Sequence, residues 1–347
     1  MRPVISVIVL NWNGRAHLEG CLSSLWAQTY QDFEIIMVDN GSQDGSVSFV
    51  RKRFPEVRVV AIKENLGFAG GNNAGMAVAR GELIALLNND TVADPGWLAA
   101  LRRATQEQAE YGMWASKVVL FDQPEILDSA SDGLTVAGVP FKRGYLQPAI
   151  LYNEPQEVFG PSGAAALYRR CVLEEVGGLD EDFFLIHEDV DLALRARLRG
   201  YRCWYVPEAV VRHKVHASLG YMSREYVFYG QRNLEYLFLK NLPFSLLLRC
   251  LPAHLLFDLF AFGHFVLRGH GLTFLRAKGA ALRALPAVLR KRRAVQKQRR
   301  VSASSLLPLM ERRWVGIKVE AAIKGWHRKK PSAISNKLSA RQGLSNE

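Results

Sequence analysis

The chain of 347 residues is 49% hydrophobic and 22% charged, enough for one large core or two smaller domains and too apolar for a disordered chain. Its net charge of +12 is uneven: from Arg276 onward there are 19 Lys and Arg against 3 Glu, which leaves residues 1–275 at net −4. A mildly acidic body with a basic tail suits an anionic partner, and four scattered cysteines without a C-x-x-C pair speak against a zinc ribbon or thioredoxin-like site. Cys21, Cys171, Cys203 and Cys250 read as small core residues in a reducing, cytosolic setting.

The first half alternates strand and helix signals. Val4–Leu10 is a short apolar, β-branched run followed by Asn11-Trp12-Asn13-Gly14. That is a buried strand rather than a signal peptide, so the body of the chain is expected in the cytoplasm. His17–Trp26 has helical apolar spacing, Glu34–Val38 is a second strand and Ser46–Phe54 a helix. Val57–Ile62 is a third strand, Ala69–Ala79 a small-residue helix and Leu83–Leu87 a fourth strand. Pro95 is placed to open the next helix. This order predicts an α/β fold, a mostly parallel sheet with helices on both faces.

Ligands bind such sheets outside the carboxyl ends of the strands. Polar clusters fall at those ends: Asn11–Gly14, Asp39-Asn40-Gly41-Ser42, Glu64-Asn65-Leu66-Gly67 and Asn88-Asn89-Asp90-Thr91. Asp39 suits hydrogen bonds from a ribose or base, although Asp-Asn-Gly is also ordinary turn chemistry. Asn88 and Asp90 offer hard oxygens two residues apart, suited to Mg²⁺ or Mn²⁺ with a diphosphate; Asp90 or Thr91 could instead cap the following turn.

Residues 121–159 read as irregular. Regular signals return with a strand at Ala164–Tyr168, helices at Arg170–Val176 and Glu188–Arg199, and a strand at Cys203–Val206. Glu188, Asp189 and Asp191 cluster at a helix start, where the dipole favours negative charge. Positions 188 and 191 share a face, with 189 about 100° away. One of the three could accept a proton from an attacking hydroxyl; alternatively they form an acidic turn in which Asp191 pairs with Arg195. His213 and His216 lie three apart after the last strand, and either could be a surface or core histidine or a metal ligand from a distant segment.

Together, in this order, Val7–Gly14, Val38–Ser42, Glu64–Asn72, Leu87–Thr91 and Glu188–Leu192 resemble the family 2 glycosyltransferases of GT-A fold, over about Val4 to Pro243. Ser162-Gly163-Ala164, Arg169-Arg170 and Arg232-Asn233 resemble the rhamnosyltransferase-like branch. The resemblance implies Asp189 as catalytic base, with Glu188 and Asp191 in support, and Asp90 and His213 on the metal. It implies a donor pocket of Asn11, Asn13, Asp39, Asn65, Gly67, Asn88, Gly163 and Arg195. It implies inversion at the anomeric carbon. Asn88 stands where many relatives have Asp, so the metal is expected to rest mainly on Asp90. The Q-x-x-R-W element of processive synthases and a multi-span membrane channel are absent, which points to single-sugar transfer. A nucleotidyltransferase would need a Gly- and Lys-rich loop after the first strand, and Asn11–Arg15 lacks one. A non-catalytic nucleotide-sugar- or nucleic-acid-binding relative is the other alternative. Nucleic acid is not an expected partner, because the basic tail comes without an aromatic platform.

Residues 1–241 are therefore expected to form the catalytic domain, 242–300 a membrane-associating region and 301–347 a basic tail, disordered from about Lys330. Leu242–Arg268 never reaches eighteen uninterrupted apolar residues. Arg249, His254, Asp258, His264 and Arg268 fall within one half of a helical wheel, and Pro252 interrupts it. The expectation is one or two amphipathic helices lying on the inner face of the cell membrane, near a lipid-linked or envelope glycan acceptor. A helical cap packed on the sheet domain is the other reading.

Overall fold

A computed structural model describes residues 3–215, 220 and 222–316. The chain divides into a compact unit ending at Arg312 and a second beginning at Arg313, of which 313–316 are described. His216 and the tail from Lys330 lie outside the described residues.

The alternating first half is β1 (Ile5–Asn11), α1 (Arg15–Trp26), β2 (Phe33–Asn40), α2 (Ser46–Arg53), β3 (Arg58–Ile62), α3 (Gly67–Val78) and β4 (Leu83–Asn88). Next come β5 (Thr91–Ala93), α4 (Trp97–Glu107), β6 (Met113–Leu120), β7 (Leu127–Ser129), β8 (Asp132–Leu134), β9 (Pro140–Lys142), β10 (Gln156–Val158) and β11 (Ala165–Arg169). The second half is mainly helical: α5 (Arg170–Val176), α6 (Glu188–Leu198), β12 (Cys203–His213), α7 (Arg224–Asn241), α8 (Phe244–Leu267), α9 (Gly271–Arg283) and α10 (Leu285–Lys297).

The main path of the sheet runs β10-β12-β6-β11-β4-β1-β2-β3. β4, β1, β2 and β3 are mutually parallel, as are β6 and β12, while β11 runs antiparallel between β4 and β6. β1 is apolar except for Ser6 and the terminal Asn11, because both faces are covered. Ile8 joins the core layer that includes residues of α3, α6 and α7, while Val7 and Val9 join the layer with α1 and α4. The glycines of α3 permit its close approach: a Cβ on Gly75 would stand 2.6 Å from Ile8. Chain order reverses about β1, whose neighbours are β2 and β4, a switch point of the kind at whose carboxyl ends ligands bind.

Several expectations are corrected. The helix after β5 starts at Trp97; Pro95 lies in the preceding turn, its carbonyl accepting from the Thr29 amide at 2.9 Å. β6 is buried along its whole length, so it lacks the alternation that marks a half-exposed strand. β12 reaches His213, with an irregularity between Val206 and Val210. Cys171 is exposed rather than in the core.

The C-terminal helices differ most from the wheel. α8 is one helix of 24 residues, continuous through Pro252, and by length and composition it could cross a membrane. Its polar half does not all face outward. His254 is buried and reaches Glu235 at 3.3 Å, while Asp258 pairs with Lys278 at 2.7 Å. The outward face carries Leu248, Leu255, Leu259 and Phe260, and α9 adds Leu272 and Leu275.

Candidate active site

The register of β1 with its neighbours sets Asn11 opposite Asp39 and Leu10 opposite Asn88. Asn11 Nδ2 donates to Asp39 Oδ1 at 3.1 Å, and Asn11 Oδ1 accepts from Asn89 Nδ2 at 2.7 Å. The Asn11 side chain is fully buried and spent on these bonds, so it holds the strand ends together and leaves only the backbone near Asn11 to line a donor pocket. Asp39 Oδ2 accepts the Ser42 amide, which shapes the turn at the end of β2. Asn13 is exposed at φ 48°, with its Oδ1 accepting from the Gln43 amide at 2.8 Å. Asn65 Oδ1 takes both Asn40 Nδ2 and the Gly67 amide at 2.8 Å. Asn40 thereby ties the third polar cluster to the second, a role its turn-like context hid.

Gly67 has φ 73°, and a Cβ there would stand 2.3 Å from the Phe184 carbonyl oxygen. The donor-side loop therefore packs directly on the segment before α6. That segment is strained, since Phe184, Ile186 and His187 all have positive φ. Asn233 of α7 clamps it, its Nδ2 donating to the carbonyls of Phe183, Leu185 and Ile186, each at 2.8 Å.

α6 begins with the three carboxylates. Asp189 Oδ2 accepts the Gly163 amide at 3.0 Å and Oδ1 accepts the Val190 amide at 2.8 Å. Gly163 therefore orients a carboxylate, and a Cβ there would stand 3.1 Å from Asp189 Oδ2. Next to it, the Ala164 carbonyl accepts the Asn88 amide at 3.0 Å. One short backbone path joins the acidic helix start to the Asn88–Asp90 cluster. The Asn88 side chain is half-buried at this edge. Glu188 is buried beside Asp189; burial first, then repulsion from Asp189, pushes its carboxyl well above the usual range. Asp132 of β8 is likewise pushed up by burial and by its contact with Asp189.

Asp191 and Arg195 do not join this group. Asp191 is fully buried and takes Arg195 Nε at 2.8 Å, Lys240 Nζ at 2.7 Å and Asn241 Nδ2 at 2.6 Å. Arg195 spends its other nitrogens on the carbonyls of Val176 and Gly178. The pair locks α6 to α7 and the preceding turns, so Asp191 is not a supporting carboxylate and Arg195 is not a donor contact.

His213 ends β12 opposite Thr91. Its Nε2 lies 3.3 Å from Asp90 Oδ1 and its Nδ1 lies 2.9 Å from Asp128 Oδ2. Burial would lower the pKa of the ring, but the hydrogen bonds to Asp128 and Asp90 outweigh it and push it up to about 9. Burial opposes ionisation of Asp90, yet His213 holds its carboxyl below the usual range. One carboxylate oxygen and one imidazole nitrogen from distant segments, facing one another at the strand ends, form a donor set that fits Mn²⁺ or Mg²⁺. Behind them, Asp128 receives Lys142 Nζ at 2.8 Å on both oxygens. Asp128, Asp132 and Lys142 come from the segment that reads as irregular, and isolated charges among Pro and Gly carry no periodic signal.

A carboxylate at a helix start, polar clusters at the strand ends and an oxygen–nitrogen pair that fits a divalent cation suit displacement at a sugar–diphosphate bond. Residues 6–177 match the family described as Glycosyl transferase family 2. The chain is 29% identical over 246 residues to an N-acetylglucosaminyl-diphospho-decaprenol L-rhamnosyltransferase of Mycobacterium tuberculosis, a match spanning 63% of this chain and 78% of that one. Among solved structures, TarS from S. aureus in complex with UDP matches with TM-score 0.57 at 19% identity, covering 100% of this chain and 93% of that one. A mannosyltransferase of Pyrobaculum calidifontis, in complex with GDP-Man and Mn²⁺, matches with TM-score 0.51 at 20% identity, covering 95% and 89%. The chain belongs to glycosyltransferase family 2, an enzyme of GT-A fold that transfers a sugar from a nucleotide-sugar donor.

Proposed function

We propose that this enzyme moves a single rhamnose, with inversion, from dTDP-rhamnose to a hydroxyl of a lipid-linked or cell-envelope glycan. The observation that carries the reaction is Asp189, held by the Gly163 amide one residue from the contact that anchors Asn88. Asp189 accepts the acceptor's hydroxyl proton while that oxygen attacks the anomeric carbon and the nucleoside diphosphate leaves. Asp39 and the Asn65–Gly67 loop bind the nucleoside side of the donor. Asp90 and His213 would hold Mg²⁺ or Mn²⁺, which when bound neutralises charge on the diphosphate. The rhamnose and the lipid-linked acceptor are supported by the mycobacterial relative, whose name carries both.

The outward apolar face of α8 and α9 supports attachment to the inner face of the cell membrane. Arg249, Arg268, Arg276 and Arg283 are exposed around Leu255, Leu259, Phe260 and Leu275. Apolar area buried among acyl chains and basic side chains at anionic headgroups act together in such binding.

A thermal-shift series on the full chain tests the donor, using dTDP-rhamnose, UDP-GlcNAc and GDP-mannose with and without Mn²⁺. A ligand that binds only the native state raises its apparent stability. A metal-dependent rise with dTDP-rhamnose is expected. A rise only with another donor would replace rhamnose, and no rise with any would remove the donor reading.

A further inference from the structure

Asp128 lies outside the motifs that mark the donor and acceptor sides, in the three-residue strand β7. It is fully buried, yet its carboxylate is not idle. Lys142 Nζ donates to both oxygens at 2.8 Å, and Oδ2 also lies 2.9 Å from His213 Nδ1. A carboxylate already receiving an ammonium acts as an acceptor, so the proton of the His213 contact sits on Nδ1. That leaves Nε2 as the atom turned toward Asp90, 3.3 Å away. Among the described residues Asp128 is the partner found at Nδ1, so it is what chooses between the two ring orientations, and a ligand histidine needs that choice made. Lys142, from β9, compensates the buried carboxylate that does this.

We propose that Asp128 is the positioning residue of the divalent-cation site: it fixes the proton on His213 Nδ1 and aims Nε2 alongside Asp90, with Lys142 holding Asp128 in place. This rests on Asp90 and His213 being the metal-binding pair.

The test is Mn²⁺ binding to the full chain, read by electron paramagnetic resonance in the presence of excess UDP or dTDP. Asp128→Ala should weaken Mn²⁺ binding about 10- to 100-fold. The double variant Asp128→Ala with Lys142→Met, which strands no cation, should lose as much. Asp128→Asn, whose amide oxygen still accepts, should recover part of the affinity. Nucleotide affinity without metal should stay at the wild-type value in all three. In ¹⁵N-histidine-labelled wild type loaded with Mg²⁺, the His213 ring proton should be on Nδ1, a readout that needs no variant. Wild-type Mn²⁺ affinity in the folded Ala variants, or a proton on Nε2 in the loaded wild type, would overturn the proposal. A wild type that binds no Mn²⁺ with either nucleotide would overturn the metal pair itself, and this inference with it.

Discussion

Asp189 Oδ2 is held by the backbone amide of Gly163 at 3.0 Å, so the carboxylate is oriented by a residue that has no side chain of its own. The next residue, Ala164, anchors Asn88. The helix start and the Asn88–Asp90 cluster are thus held together through the turn that leads into β11, the strand that runs against both neighbours, β4 and β6.

Gly163→Ala tests that connection. The added Cβ would stand 3.1 Å from Asp189 Oδ2 and 3.2 Å from the Phe68 ring, so one of them must shift. A misplaced base lowers turnover more than binding, and kcat should fall about 10- to 100-fold with donor affinity within twofold. Steady-state kinetics beside a donor titration separate the two.

Asp189→Asn keeps the shape of the side chain and removes its basicity. Transfer should drop by about 10²- to 10⁴-fold while the donor-induced thermal shift remains. Wild-type turnover in this variant would take the role of base away from Asp189.

Asn233→Ala removes three bonds to carbonyls in a segment with three positive-φ residues. Stability should fall by about 2 to 4 kcal/mol in urea unfolding. The segment leads directly into α6, so kcat should fall as well.

His213 makes metal-free stability depend on pH. Its folded pKa is raised to about 9 from 6.5. The native state therefore binds the proton more tightly than the unfolded state. The resulting stabilisation is fully present below about pH 6.5 and lost as pH rises through 9, at most about 3 kcal/mol in all. His213→Gln should flatten the stability profile between those limits, measured by denaturant unfolding in chelator.

Replacing Leu255, Leu259 and Phe260 together by Ser removes exposed apolar area without touching the buried face of α8. Sedimentation with phosphatidylglycerol vesicles should fall sharply while the nucleotide-sugar thermal shift is unchanged. Undiminished sedimentation would count against α8 as the attachment face.

The strand–helix alternation of residues 4–90 and the polar clusters at the strand ends are legible in the sequence. Both follow from local rules: a buried parallel strand is an apolar run, and its carboxyl end is where the chain turns polar. The tertiary structure alone decided which charged residues face one another. Asp191 sits two positions from Asp189, yet it points to Arg195, Lys240 and Asn241, because α7 packs against that side of α6. His213 finds Asp128, 85 positions away, because β12 and β7 both pair with β6. The wheel of α8 groups its polar residues but not their surroundings: Arg249, His264 and Arg268 are exposed, and two of the five are not. His254 and Asp258 turn inward because Glu235 and Lys278 wait there, and no periodicity within one helix can encode a partner carried by another.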